Sequence, residues 1–322
     1  MKVLITGAFG NLGISTIKAL LETDHDITLF DLPNSRNKKL LRRLSKRREL
    51  SVIWGDLLDK SKVTQAVINQ DCIIHLVGLT PPLTEQIPRF AYQVNVQGTK
   101  NIVEPLLKLE KPPKIIYPSS VSIYSPTSPN SPLLKPEDSV KPTDVYTRTK
   151  CEVEQILQES KLPWLIFRTT AVPGLDLKSN NRIELMYEIP LDQKVEFLHT
   201  YDAGLALANA VDLGIEKKIL LLGGGKECQM INRDFLGKYF RFLGLGKLLK
   251  EIFKKPKVDT DWYYTHWMDT SESQNLLDYQ KHSFEDFLED FKKGKKVLIF
   301  FMTLFRPLIK LMIKKNSPYS AK

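Results

Sequence analysis

Thr6-Gly7-Ala8-Phe9-Gly10-Asn11-Leu12-Gly13 lies between an apolar run, Val3-Leu4-Ile5, and a stretch of helix-like pattern from Ile14 to Glu22. A strand, a tight glycine turn and a helix in that order aim backbone N–H groups and the positive end of a helix at one spot, where a pyrophosphate can sit. Gly7 permits the turn, Gly10 lets phosphates approach the backbone, and Gly13 lets the helix pack closely on the strand. Three spaced glycines alone are a weak signal. Here a second apolar run, Ile27-Thr28-Leu29-Phe30, ends at Asp31, about 20 residues after the turn, where a ribose-binding acid is expected.

The alternation continues through the first half. Strand-like runs are Lys2–Thr6, Asp26–Asp31, Leu50–Trp54, Cys72–Val77, Lys114–Pro118 and Trp164–Arg168. Helix-like runs separate them at Ile14–Glu22, Asn37–Lys46, Lys60–Ile68, Thr99–Leu109 and Tyr146–Ser160. The pattern predicts an α/β fold, a doubly wound parallel Rossmann sheet covered by helices on both faces. The Ser/Pro/Asn-rich stretch from Pro126 to Pro132 predicts an exposed loop. After Arg168 the alternation weakens: strands are expected at Val195–His199 and Ile219–Leu222, and helices at Ala203–Leu213, Phe235–Phe253 and Ser283–Phe291. The expected division is a dinucleotide-binding domain over 1–168, completed by 195–222. A smaller C-terminal substrate lobe follows, from 169–194 and 223–290, then a basic, hydrophobic tail helix within 291–322.

Charge locates the tail as a separate feature. The chain carries a net charge of +10, yet residues 291–322 hold nine basic residues and no acid, so the body is close to neutral. A second cluster, Arg36 to Arg48, holds eight Lys or Arg without interleaved aromatics. It reads as a solvated helix face with Leu40, Leu41 and Leu44 turned inward, and no nucleic-acid partner is expected. The three cysteines, Cys72, Cys151 and Cys228, are far apart, which suits a reducing, cytoplasmic setting without a disulfide framework. The five histidines lack metal-ligand spacing, so no metal is expected. The glycine turn interrupts the first apolar run too early for a signal peptide.

Tyr146-Thr147-Arg148-Thr149-Lys150 places a phenol and an ammonium four residues apart, on one face of the predicted helix. A phenol with a pKa near 10 is a poor base at neutral pH, and a nearby ammonium favours its ionised form. The spacing is common by chance; its position gives it weight. The helix follows the strand Ile115-Ile116-Tyr117, which runs into Ser119-Ser120, where strand ends in such sheets line the ligand crevice. A serine there can hydrogen-bond a reacting oxygen.

Taken together, these motifs resemble the extended short-chain dehydrogenase/reductase family, and within it the NAD-dependent nucleotide-sugar epimerase/dehydratase group. The resemblance covers about residues 1–290. It rests on Thr6-Gly7-x-x-Gly10-x-x-Gly13, Gly55-Asp56-Leu57, His75-Leu76-Val77-Gly78, Asn95-Val96-x-Gly98-Thr99, Ser119-Ser120 with Tyr124, Tyr146-x-x-x-Lys150, Arg168, Phe197-Leu198-His199 and Asp202. It implies NAD held by Gly7, Phe9, Gly10, Asn11, Leu12 and Gly13, with Asp31 on the adenosine ribose and Asp56 and Leu57 on the adenine. Leu76, Val77 and Gly78 would line the cleft, Asn95 would brace the strand ends, and Thr169 and Val172 would complete the cofactor site. Tyr146 would be the acid/base, Lys150 would hold the nicotinamide ribose and lower the phenol pKa, and Ser120 would bond the substrate oxygen. Ser122, Tyr146, Thr170, Asn180 and Arg182 would meet the substrate, and a homodimer is implied.

The sequence also departs from that group. Val121-Ser122 follow Ser120 where dehydratases carry an acid, so elimination lacks its acid/base. Val172-Pro173-Gly174 replaces Tyr-Gly-Pro, Val195-Glu196 stands where a phosphate-gripping arginine precedes Phe-Ile-His, and the segment from Arg168 to Asp202 is short. Epimerisation of a nucleotide sugar is the favoured activity. The alternatives are NAD(P)-dependent oxidation or reduction of a lipid-like or small alcohol or ketone, and non-catalytic dinucleotide binding. The tail's apolar run, Val297 to Phe305, is too short to span a bilayer. It suits an in-plane helix on an anionic membrane surface through 291–315, at the inner face of the membrane, or a helix packed on the body or across a dimer.

Overall fold

Strands buried on both faces need no alternation of apolar and polar residues, and the apolar runs of this chain pair accordingly. The structure, a computed structural model, describes residues 1–124, 126–175 and 183–320, the last stretch without the side chains of 183–185. Nine strands are described: β1 (Lys2–Thr6), β2 (Asp26–Asp31), β3 (Ser51–Trp54), β4 (Cys72–His75), β5 (Lys114–Ser120), β6 (Trp164–Thr169), β7 (Lys194–Glu196), β8 (Lys218–Leu222) and β9 (Gln229–Ile231). Seven form one parallel sheet in the order β3-β2-β1-β4-β5-β6-β8. The order reverses between β1 and β4, and a crevice opens at the carboxyl ends of strands at such a switch point.

Neighbouring residues of one strand serve opposite cores. Val3, Ile5, Ile74, Ile116 and Phe167 face the helices Asn11–Leu20 and Thr200–Asp212. Leu4, Ile73, Ile115, Tyr117 and Ile166 face the helices Lys60–Val67, Gly98–Leu106 and Val145–Glu159. The first two helices meet closely: a Cβ on Gly204 would sit 2.4 Å from the backbone of Ser15. A third core, around Phe197, Phe240, Phe253, Phe284 and Phe287, belongs to the smaller lobe.

The structure departs from the sequence expectation at three places. The expected strand Val195–His199 is β7, which pairs antiparallel with β9 in a separate two-stranded sheet; β8 alone closes the large sheet. The second half of that run is spent otherwise. Leu198 donates its N–H to the Ala171 carbonyl at 3.1 Å, and the His199 ring accepts from the Tyr201 N–H at the start of the helix Thr200–Asp212. The expected helix Phe235–Phe253 is Asn232–Phe242, because Gly244 and Gly246 follow with φ of 76° and 74°, a left-handed backbone that terminates helices.

The tail is two helices, Lys296–Leu304 and Arg306–Asn316, where a single one was expected. Pro307, which lacks an N–H, opens the second. Their inner face belongs to the lobe: Ile313 is buried in the third core with Phe291, and Met302 and Ile309 pack against it. The Tyr187 hydroxyl donates to the Ile313 carbonyl at 2.9 Å, and the Ser317 hydroxyl to the Ile252 carbonyl at 2.6 Å.

Phe291→Ala should therefore lower unfolding stability by about 3–5 kcal/mol, the usual cost of emptying a buried phenylalanine site. Cutting the chain after Asp290, which also removes Ile313, should cost more. Urea unfolding of the three proteins measures this; a truncated chain as stable as the full one would show that these helices contribute nothing to the lobe.

Candidate active site

The glycine turn has the geometry that close approach demands. Gly7 has φ of 68°, and a Cβ there would lie 2.8 Å from the Val77 nitrogen. A Cβ on Gly13 would lie 2.4 Å from the Ala8 oxygen. Gly10 occupies the cap position of the helix Asn11–Leu20 and supplies no side chain to its first N–H groups. A helix start without a side-chain cap, at a sheet switch point, is suited to an anionic group such as a pyrophosphate.

Residues distant in sequence fasten this turn. The Phe9 N–H donates to Asp31 Oδ2 at 2.9 Å, and Asp31 Oδ1 accepts from the Leu32 N–H and from Asn37 Nδ2. The carboxylate thus stands at the end of β2 beside the turn. Arg36 donates to the Phe9 carbonyl at 3.0 Å. Asn11 Nδ2 donates to the Val172 carbonyl at 3.0 Å, and Thr200 to Asn11 Oδ1 at 3.2 Å, joining the turn to the segment after β6. Leu12 and Val172 pack on the first core.

Across the crevice, Leu76, Val77 and Gly78 follow β4. The Leu76 N–H donates to the Thr6 carbonyl at 3.1 Å. Asn95, in a π-helical turn, accepts from the Leu79 N–H at 2.7 Å, and its Nδ2 donates to the Leu79 carbonyl and to Thr149 Oγ1 at 3.0 Å. It braces the cleft loop against the helix Val145–Glu159.

That helix presents Tyr146 and Lys150, both half-buried. Lys150 Nζ donates to the Pro118 carbonyl at 2.8 Å, lies 4.5 Å from the centre of the Tyr117 ring and 5.8 Å from that of Tyr146. Burial pushes its ammonium down to about 8, with Glu154 acting in the opposite direction. At the end of β5, Ser120 Oγ lies 2.6 Å from Ser122 Oγ and accepts from the Ser122 N–H. The neighbouring Ser119 hydroxyl is buried and makes no hydrogen bond. A crevice with an anion-binding turn at one end and a phenol, an ammonium and a hydroxyl pair at the other can bind a dinucleotide and exchange a proton with a substrate hydroxyl.

Several expected residues spend their side chains within the fold. Thr170 is 5% exposed, and its hydroxyl donates to the Glu196 carbonyl at 2.8 Å, so it ties the end of β6 to the lobe. The Thr169 hydroxyl donates to the Phe167 carbonyl. The Leu57 side chain is buried against Gly98 in the second core, which leaves Asp56 as the exposed member of its pair. Asn180 and Arg182 lie outside the described residues.

Other residues contribute that motif reading did not single out. Glu154 forms a buried ion pair with Arg168 at 2.9 Å, and Arg168 also donates to the Tyr124 hydroxyl and the Pro136 carbonyl. Glu154 follows Lys150 by four positions, a spacing that could have flagged it as a neighbour on the same face. Glu85 accepts the N–H groups of Val145 and Tyr146. His75, which opens the motif His75-Leu76-Val77-Gly78, is buried between Thr6 and Thr99, and burial pushes its imidazole down to about 3, so it is neutral. Among the described residues there is no group of three or more His, Cys, Asp or Glu placed to hold a metal.

Residues 4–162 match the model of the 3-beta hydroxysteroid dehydrogenase/isomerase family. A UDP-glucose 4-epimerase of Schizosaccharomyces pombe is 33% identical over 165 residues, which cover 49% of this chain and 46% of that protein. The type 7 3 beta-hydroxysteroid dehydrogenase of Mus musculus is 25% identical over 164 residues, 49% of this chain and 44% of that one. The chain spans about half the length of the curated relatives it matches. Its fold superposes on the UDP-glucuronic acid 4-epimerase of Bacillus cereus solved with UDP-glucuronic acid and NAD. The TM-score is 0.74 at 21% identity, covering 92% of this chain and all of that one.

The environment of Lys150 has a measurable signature. Folded, it releases its proton near pH 8, whereas an ordinary lysine holds it to 10.5. The unfolded chain binds more protons between those values, so this residue's contribution to stability rises with pH across the window and is lost as pH falls through 8. Unfolding free energies of the parent and Lys150→Met should differ in a pH-dependent way there. A difference independent of pH would show that the surroundings of Lys150 do not lower its pKa.

Proposed function

We propose that this chain is an NAD-dependent epimerase of nucleotide sugars, of the extended short-chain dehydrogenase/reductase type. The observation that carries the reading is the Tyr146–Lys150 pair, with Lys150 bonded to the Pro118 carbonyl of β5 two residues before Ser120 and its partner hydroxyl on Ser122. Its support among relatives comes from the UDP-glucose 4-epimerases matched in sequence and from the NAD- and UDP-sugar-bound neighbours in fold.

The glycine turn, with Asp31 and Asp56, would hold the dinucleotide, and Asn95, Leu76, Val77 and Gly78 would form the facing wall. NAD, when bound, supplies a reversible hydride acceptor. Tyr146 takes the proton of the substrate hydroxyl and later returns it. Lys150 favours the phenolate by its charge and would donate to the cofactor's ribose. Ser120, oriented by Ser122, donates to the substrate oxygen while the proton is away. With Val121-Ser122 after Ser120, no side chain of that pair can act as the acid of an elimination, which favours epimerisation over dehydration.

The enzyme is a homodimer in this reading, and exposed Phe90 and Tyr92 beside the helix Val145–Glu159 supply a face for it. It works in the cytoplasm at the inner face of a membrane, reached through residues 291–315. A second reading, oxidation or reduction of a lipid-like alcohol or ketone, draws on the hydroxysteroid dehydrogenase family match and on Glu196. That carboxylate, next to Val195 where an arginine would grip a phosphate, is buried and accepts from the N–H groups of Gly225 and Met268.

Tyr146→Phe should lower turnover by about 10²–10⁴-fold and leave NAD affinity nearly unchanged, since only the acid/base is lost. Near-normal turnover would remove Tyr146 from that role. NAD should bind more tightly than NADP, because the Asp31 carboxylate would face the 2′-phosphate; titration of both oxidised cofactors decides this. Incubation with UDP-, GDP- and dTDP-sugars should change sugar configuration by NMR without accumulating NADH. No reaction with any of them, together with stoichiometric NADH from a lipid alcohol, would establish the second reading.

A further inference from the structure

The inner face of the two terminal helices is packed on the lobe; their outer face is apolar and uncovered. Val297, Phe300, Phe301, Leu304, Leu308 and Leu311 recur three or four residues apart along both helices and are 48–70% exposed. A contiguous apolar surface of this kind marks an interaction site on a protein.

Charge surrounds this stripe on two sides. Lys293, Lys296 and Lys315 are exposed near the ends of the two helices. Along one flank of the second helix, Arg306 donates to the Gly244 carbonyl and Lys310 to the Lys247 carbonyl, both at 2.7 Å, and Lys314 pairs with Glu251 at 3.4 Å. These contacts draw the segment around Lys247 and Lys250 alongside, so the stripe runs beside a basic belt. The face is part of a folded lobe, since Ile313 is buried and Tyr187 and Tyr319 bond across to it and to Glu188.

Resting on the reading of the chain as an enzyme of the inner membrane face, we infer that this preformed two-helix face docks in the plane of an anionic lipid bilayer. The apolar stripe enters the acyl boundary and the lysines meet the headgroups. Among the described residues no helix is long and apolar enough to cross a membrane, which leaves the in-plane position. A second copy of the chain is the poorer occupant. Two-fold pairing would set the basic belt against itself, since residues 291–322 contain no acid and Glu251 beside them is already paired with Lys314.

The test is cosedimentation of the full chain with phosphatidylcholine vesicles, with and without phosphatidylserine. The full chain should bind the mixed vesicles at least about tenfold better than the neutral ones. About 1 M salt, where charges are screened within about 3 Å, should remove most of that advantage. Phe300→Glu combined with Leu308→Glu should abolish binding with unchanged thermal unfolding and NAD titration. Lys296→Glu combined with Lys315→Glu, both exposed, should remove the preference for anionic lipid even if the first variant folds poorly. A parent chain that ignores mixed vesicles at low salt would overturn the inference, as would variants that bind like the parent. So would an apolar-face variant that converts a dimer to a monomer while the parent shows no vesicle binding. NAD titrated into the same samples separates the two readings: vesicle binding without NAD binding sinks the enzyme and leaves the docking face standing.

Discussion

The buried pair of Arg168 and Glu154 fixes the helix Val145–Glu159 to the sheet. Arg168 lies on β6, next to β5, and its guanidinium reaches Glu154 on the helix, the Tyr124 hydroxyl and the Pro136 carbonyl. One side chain therefore joins a strand, a helix and both sides of the long loop after β5. A buried ion pair gives little net stability, because desolvation offsets the attraction, but removing one partner leaves a costly orphan charge. Its use here is registry. With Glu154 held, Lys150 one turn earlier falls over Tyr117 at the Pro118 carbonyl, and Tyr146 follows a further turn back on the same face.

At the other end of the crevice the constraint is steric. Gly13 and Gly7 admit backbone contacts that any Cβ would block, and Asn11 then joins the turn to Val172 and Thr200. The same turn therefore touches β4, the segment after β6 and the helix Thr200–Asp212. Those three meet at the carboxyl edge of the sheet, where a ligand spanning the crevice would touch all of them.

What the sequence made legible were features with a local cause. The glycine turn, the strand runs and the Tyr146–Lys150 face follow from backbone sterics and periodicity, which a few neighbouring residues determine. What stayed hidden depends on partners far along the chain. Thr170 reads as a polar residue after a strand; only the nearness of Glu196 turns its hydroxyl into a tie. Leu57 reads as part of a binding pair, yet Gly98 opens a pocket that takes its side chain into the core. β7 reads as a strand of the main sheet, but its partner β9 lies in the lobe. The break between the two tail helices had a local sign in Pro307, but the burial of Ile313 in the lobe's core, with Phe240 and Phe253, has no trace in local spacing.

The path of the chain has a consequence for how it comes apart. After β6 it leaves the large sheet for β7, returns along the helix Thr200–Asp212 and β8, and leaves again for β9 and the terminal helices. The sheet's far edge strand is thus donated by a segment whose two ends are both anchored in the lobe. Loosening the lobe pulls on β8 and on the helix packed against Asn11–Leu20, and loosening the sheet frees the lobe's two leads. Partial unfolding of either half should cost nearly as much as unfolding both, so a protease admitted at one would find the other open as well.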